Sequence, residues 1–187
     1  MKPLIQRTLV IIKPDAVKRG LVGEIISRFE RAGLEIVALR MLRASKEQLE
    51  QLYPSNKEWL IKIGEKISES LKEHGINPAS VFGTDDPYVI GTIARSKLIE
   101  YMSSGPIVAL VLQGPAAVHV VRKLVGSTEP ATAAPGTIRG DYSCLSRAYC
   151  AVTGIALMNV VHASDSIEAA EREIKIFFAD MKEVIEV

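Results

Sequence analysis

Three kinds of side chain in this sequence could do chemistry on phosphorus. The first is His162, in the segment LMNVVHAS from Leu157 to Ser164. It follows an apolar run and precedes Ser164-Asp165-Ser166, the start of a predicted helix. Free backbone N–H groups and the helix dipole make such a junction favourable to anions. Imidazole titrates near neutrality, and its neutral form is a competent nucleophile toward phosphorus. Position alone also suits a structural histidine, so it does not decide between the two. The second kind is basic: Lys13, Arg122 and Arg139 each stand at the edge of an element rather than along a solvated helix face. The third is the pair of hydroxyls Thr128 and Thr137, in the segment STEPATAAPGTIRG from Ser127 to Gly140. Arg and Lys grouped around a histidine would make a phosphate cradle, because phosphoryl transfer depends mainly on positioning and charge neutralisation. Taken singly, each basic residue reads as an ordinary solvent-exposed charge.

Neither a Walker-type glycine-rich loop with its lysine nor a GxGxxG pattern followed by VAIK occurs. A phosphotransferase built on these residues would be of another kind. Cys144 and Cys150 match no common zinc spacing, and two thiols cannot complete a site; they read as incidental thiols, with a local disulfide left open. His74 reads as a helix-end residue and His119 as a helix-surface residue.

The elements that must position these groups follow from periodicity. Leu9 to Ile12 reads as a buried strand that stops at Lys13-Pro14-Asp15. Val22, Ile25, Ile26 and Phe29 recur at helical spacing, with Gly33 as the stop, and Leu34 to Leu42 reads as a second strand. Ser45 with Gln48 forms a capping box before a short helix ending near Tyr53. Ser55 with Glu58 suggests another cap, ahead of a helix whose face carries Trp59, Ile63, Ile67 and Leu71 and which ends at His74-Gly75. After the turn residues of Gly83 to Pro87, a helix runs to about Met102. A third strand occupies Ile107 to Gly114, and Pro115 starts a helix closing at Gly126. The Ser127 to Gly140 stretch reads as a long loop, of the kind usually functional or disordered. Leu157 to Ser164 is the fourth strand, followed by a final amphipathic helix. This order predicts a single α+β domain of the ferredoxin-like kind, an antiparallel sheet with helices packed on one face.

Composition excludes several classes. With 187 residues, 48% hydrophobic and 24% charged, the chain can bury one substantial core. A net charge of +1 and 5% aromatic content supply no basic patch with interleaved aromatics, so nucleic-acid binding is not expected. No apolar run is long enough to span a bilayer and no secretory signal is visible, which suggests a cytoplasmic protein.

The segments TLVIIKPDAVKRGLVGEIISRFE, YMSSGPIVALVLQGP, VRKLVGSTEPATAAPGTIRGDY and NVVHASDSIEAAEREI together resemble the nucleoside diphosphate kinase family. The NxxH[GA]SDS pattern from Asn159 to Ser166 is the most specific, with KPDAV and PGTIRGD in order before it. The resemblance implies a ping-pong kinase in which His162 accepts the γ-phosphoryl group of a nucleoside triphosphate and passes it to a diphosphate. It implies that Lys13 neutralises the phosphoryl group in flight and reaches the ribose 3′-hydroxyl, with Tyr53 hydrogen-bonding nearby. Arg122, Thr128 and Arg139 would hold the α- and β-phosphates, and Asn159 the 3′-hydroxyl. Ser164 would assist the transferring oxygen, Glu173 would orient His162, and Leu98 would lie under the base. Mg²⁺ would travel on the nucleotide phosphates with no dedicated protein ligand. Homo-oligomers, commonly hexamers, are the family's assembly.

The chain departs from the pattern in three places. Insertions are expected at about 54–93 and 142–152, the second holding both cysteines. No aromatic stands near Ala94, where shorter members stack one on the base; Trp59, Phe82 and Tyr88 are displaced. The chain also stops at Val187, soon after the last helix, without the C-terminal extension that some members use for subunit contacts. A non-catalytic relative would share the fold, but the joint presence of His162, Lys13, Arg122, Arg139, Asn159 and Glu173 argues against it.

Overall fold

The structure is a computed structural model that describes residues 4–185. Its centre is strand β1 (Ile5–Ile12), whose residues from Thr8 onward are buried. Even and odd positions feed different cores. Leu9 and Ile11 pack in one cluster, Val10 and Ile12 in the other, so both faces of the strand are covered. That is why the segment reads as a continuous apolar run rather than an alternating one.

Four strands form one antiparallel sheet in the order β2-β3-β1-β4, with β2 Glu35–Leu42, β3 Ile107–Pro115 and β4 Val161–Ala163. This is the expected ferredoxin-like arrangement. The expectation of helices on one face only is corrected. On one side pack α1 (Pro14–Lys18), α2 (Val22–Arg31) and α7 (Ala117–Val125), through Ala16, Ile25, Phe29, Ala117, Val121 and Val125. On the other pack α3 (Lys46–Leu52), α6 (Pro87–Ser103) and α10 (Ile167–Phe178), through Leu49, Leu52, Met102, Ile174, Phe177 and Phe178.

Local chemistry accounts for most boundaries. Ser45 and Gln48 form the capping box of α3. The helix α4 (Lys57–Glu73) is capped by Asn56, not Ser55, because the Asn56 side chain reaches the Trp59 N–H. Gly75, at φ 70°, ends it. Its buried stripe is also displaced from the apolar one: Leu60, Gly64, Ser68 and Leu71 face inward, while Trp59, Ile63 and Ile67 are half-buried. The cause is a backbone-to-backbone crossing with α6. A Cβ on Gly64 would sit 1.9 Å from the Pro87 carbonyl oxygen, and one on Gly91 would sit 1.9 Å from that of Leu60. Between the two helices lies α5 (Pro78–Phe82).

Three further boundaries differ from expectation. Pro115 ends β3, and the helix begins two residues later behind Ala116, which is left-handed at φ 47°. The stretch expected as a loop holds a 3-10 turn (Pro130–Thr132) and runs into α8 (Ile138–Tyr142), capped by Thr137. After α9 (Arg147–Thr153), β4 covers only Val161–Ala163, because Val160 takes a φ of 70° and breaks the strand. A short α11 (Lys182–Ile185) follows the last long helix. His74 ends α4 and His119 lies exposed on α7; both cysteines are unpaired, Cys144 exposed and Cys150 buried.

Candidate active site

The antiparallel pairing of β1 with β4 aligns Ile11 with His162, which brings Lys13 and His162 to the same end of the sheet. Lys13 N donates to the Val160 carbonyl at 2.9 Å, locking the two chains where β1 ends. The turn at Val160 then does the aiming. Val161 N donates to the Asn159 carbonyl at 2.7 Å across a single residue, a tight turn that with φ 70° is unfavourable for a β-branched side chain. Complete burial of Val160 and the flanking pairings hold it there.

His162 projects from β4 with 19% of its side chain exposed. Its Nε2 lies 2.8 Å from Glu173 Oε2 on α10. The same carboxylate oxygen accepts from the Ser164 hydroxyl at 2.8 Å, and Oε1 accepts from Arg172 at 3.2 Å. Burial works to raise the Glu173 pKa, but the hydrogen bond and charge of His162, the Ser164 hydroxyl and Arg172 outweigh it and hold it below the usual value. An ionised carboxylate only accepts, so Nε2 must carry the hydrogen. The remaining ring nitrogen, Nδ1, then has its lone pair free, and no described residue hydrogen-bonds to it.

The same end of the sheet carries positive charge. Lys13 is buried, and its Nζ donates to Asn159 Oδ1 at 2.6 Å. Burial first and the Arg139 charge second bring its pKa down to about 7, with Asp15 pulling the other way. Arg139 is also buried; it donates to the carbonyls of Gly126 at 3.1 Å, Asn159 at 3.2 Å and Val161 at 2.8 Å. Burial, then the charges of Arg122 and Arg147, lower its pKa to about 10. Buried cations that depress one another leave a ready place for a polyanion.

Tyr53 stands edge-on to His162, with ring centroids 6.3 Å apart. Its hydroxyl is buried without a partner among the described residues. Burial drives its pKa up, Glu173 adds to that, and Arg139 opposes it. Asn159 continues the network by donating from Nδ2 to the Thr128 carbonyl at 2.7 Å. Arg122, on α7, and Thr128 are exposed. Leu98 lies half-buried on α6 in the cluster that also holds Tyr53. Ser164 is fully buried, and its hydroxyl faces Glu173 and the Leu9 carbonyl rather than the open side of His162.

Two pairs were not singled out from the sequence. The Tyr101 hydroxyl donates to Asp15, and the Tyr101 ring lies 5.9 Å from Lys13 Nζ. Both residues lie in the quoted segments KPDAV and YMSSGP, but only their approach in space links them to Lys13. Arg147 pairs with Glu129, one residue past Thr128.

A nucleophilic imidazole nitrogen, held in one tautomer at the end of the sheet that also carries Lys13 and Arg139, can displace at phosphorus and carry the group covalently. Comparison with known proteins agrees with that chemistry. The family profile described as nucleoside diphosphate kinase matches residues 6–61 and 92–183, leaving 62–91 unmatched. A nucleoside diphosphate kinase of Pyrobaculum aerophilum is 56% identical over 182 residues, covering 97% of this chain and 99% of the relative. A crystal structure of an NDP kinase from that organism superposes with a TM-score of 0.91 at 54% identity, covering 97% of this chain and all of the other. A transition-state mimic of the Borrelia burgdorferi nucleoside-diphosphate kinase, with bound vanadate and ADP, gives 0.72 at 37% identity and covers 94% of this chain and 88% of that one.

Proposed function

The chain belongs to the nucleoside diphosphate kinase family, and from that premise we propose how its own residues move a γ-phosphoryl group from a nucleoside triphosphate to a diphosphate. The observation that carries the proposal is the His162–Glu173 hydrogen bond through Nε2, which leaves Nδ1 open. The Nδ1 lone pair attacks the γ-phosphorus, the bond to the β,γ-bridging oxygen breaks, and the diphosphate leaves with that oxygen. A terminal β-phosphate oxygen of a second diphosphate then attacks the phosphohistidine, and the electron pair returns to Nδ1. Glu173 stays ionised throughout and stabilises the imidazolium-like ring as charge develops on it.

Lys13, in its charged form, neutralises the group in flight, and its hydrogen bond to Asn159 pairs both side chains for a ribose 3′-hydroxyl. The unpartnered Tyr53 hydroxyl supports a role as donor to a phosphoryl oxygen. Arg122, Thr128 and the N–H groups of Arg139 not committed to carbonyls hold the α- and β-phosphates. Ser164 is better supported as a residue that positions Glu173 than as one touching the transferring oxygen. Leu98 offers an apolar surface to the base.

The donor set of the cleft is cationic, which fits a polyphosphate carrying Mg²⁺ on its own oxygens. The ion would share the charge neutralisation there. The segments 54–93 and 142–152 are proposed as insertions into the kinase domain. Homo-oligomerisation is supported by Leu39 (48% exposed) and Met41 (59%) on β2, an edge strand of the sheet among the described residues. Two unpaired thiols fit a reducing, cytoplasmic setting, where nucleotide pools are found. Initial-rate kinetics with ATP as donor and GDP or CDP as acceptor test the whole reading. A covalent intermediate gives parallel double-reciprocal lines; intersecting lines would point to direct transfer in a ternary complex.

A further inference from the structure

Glu129 follows Thr128 in the loop, yet it is buried and fully engaged by segments outside that loop. Its carboxylate takes the Arg147 guanidinium on Oε2 and the Arg147 backbone N–H on Oε1 at 2.7 Å. The Ser70 hydroxyl of α4 lies 3.5 Å from Oε1 and accepts from the Ala148 N–H at 3.2 Å. Ala131 N also donates to the Leu145 carbonyl at 3.1 Å. The first turn of α9 and the C-terminal half of α4 thus grip the loop at one point. Ser70 lies within the stretch that the family profile leaves unmatched.

The grip continues into the cleft without a break. The residue before Glu129 presents its carbonyl to Asn159 Nδ2, and Asn159 Oδ1 takes Lys13 Nζ. We propose that Glu129, clamped by Arg147 and Ser70, is a positioning residue that holds the 127–140 loop for nucleotide phosphates. In this reading α4 and α9 set nucleotide affinity from outside the cleft. The proposal rests on the phosphate-binding role given above to Thr128 and Arg139. An isolated loop carboxylate would gain little from an exposed pair, but here Glu129 is buried and Arg147 half-buried, and removing the arginine strands a buried carboxylate. A freed Glu129 carboxylate would also draw the Thr128–Glu129 backbone toward solvent.

Arg147→Ala and Arg147→Lys test it with two donors: ATP, and phosphoramidate, which carries a phosphoryl group but no nucleoside. Arg147→Ala is expected to raise KM for nucleoside di- and triphosphates about tenfold, as for loss of a charged hydrogen bond. Phosphoramidate should still phosphorylate His162, and Arg147→Lys should recover part of the affinity. Unchanged nucleotide KM in a folded Arg147→Ala overturns the proposal, as does an equal loss with both donors. Failure of wild-type protein to take phosphate from either donor would instead sink the phosphohistidine reading. If Arg147→Ala does not fold, Ser70→Ala removes one hydroxyl and should raise nucleotide KM about threefold; no change there overturns the proposal equally.

Discussion

Lys13 Nζ and Asn159 Oδ1 are joined by a 2.6 Å hydrogen bond between two buried side chains. The amide fixes the ammonium in direction, and its other end is tied to the Thr128 carbonyl at 2.7 Å. Lys13, the Asn159 amide and the 127–140 stretch are therefore tied into one chain of hydrogen bonds.

Asn159→Ala should break that unit in two places. The buried ammonium loses its acceptor, and the Thr128 carbonyl loses its donor. A fall of about 10- to 100-fold in kcat/KM is expected. The loss should be smaller with 3′-deoxy substrates, which have no hydroxyl for Asn159 to bind. Equal losses with both substrates would remove Asn159 from the sugar.

Lys13 also sets a pH dependence. Its folded pKa, brought down to about 7, lies far below the ordinary lysine value of 10.5. Across that window the unfolded chain binds the extra proton, so unliganded stability rises with pH from about 7 upward; below it the cost of the buried charge is fully present. A bound polyphosphate favours the charged form and draws the proton back. Calorimetric titration of ADP near pH 8 in buffers of different ionisation enthalpy should show proton uptake, abolished in Lys13→Met. No buffer dependence would mean that Lys13 is charged without nucleotide.

Ser164→Ala tests positioning at Glu173. It removes the donor 2.8 Å from Oε2 while leaving the His162 ring in place. Loss of such an outer partner commonly costs 10- to 100-fold, so kcat should fall by about tenfold with little change in nucleotide KM. An increase in KM with kcat unchanged would place the hydroxyl on the nucleotide instead.

The α4–α6 crossing gives a stability test away from the cleft. Gly91→Ala places a methyl group against the Leu60 carbonyl, where no side chain can yield. The helices must separate, at about 1–3 kcal/mol or more. Thermal unfolding should register that loss, whereas Gly23→Ala, with open space at its Cβ, should not lower Tm comparably. Equal melting temperatures would contradict the tight crossing.

The sequence reveals the framework better than the aim of its side chains. The run at Leu9 to Ile12 is legible because burial on both faces leaves no polar position to mask it. The stripe on α4 misleads for a physical reason: a glycine contact carries no hydrophobic signal, so Gly64 reads as a gap although it is the point of closest approach. His162, Lys13 and Glu173 are legible through the family resemblance, and the direction of the Ser164 hydroxyl is not. That direction depends on α10 bringing Glu173 beneath the strand, a tertiary fact. The Glu129–Arg147 pair is hidden for the same reason, since one charge lies in the 127–140 stretch and the other in the first turn of α9, and they meet only in the folded chain.

The central claim is that His162 carries the phosphoryl group. Incubation with γ-labelled ATP, followed by mapping of the label, tests it most directly. The label is expected on His162, lost in acid as a phosphoramidate bond requires, and discharged when GDP is added. His162→Ala should fold with wild-type Tm and take up none. Label that is acid-stable, resists GDP or persists in His162→Ala would contradict the account.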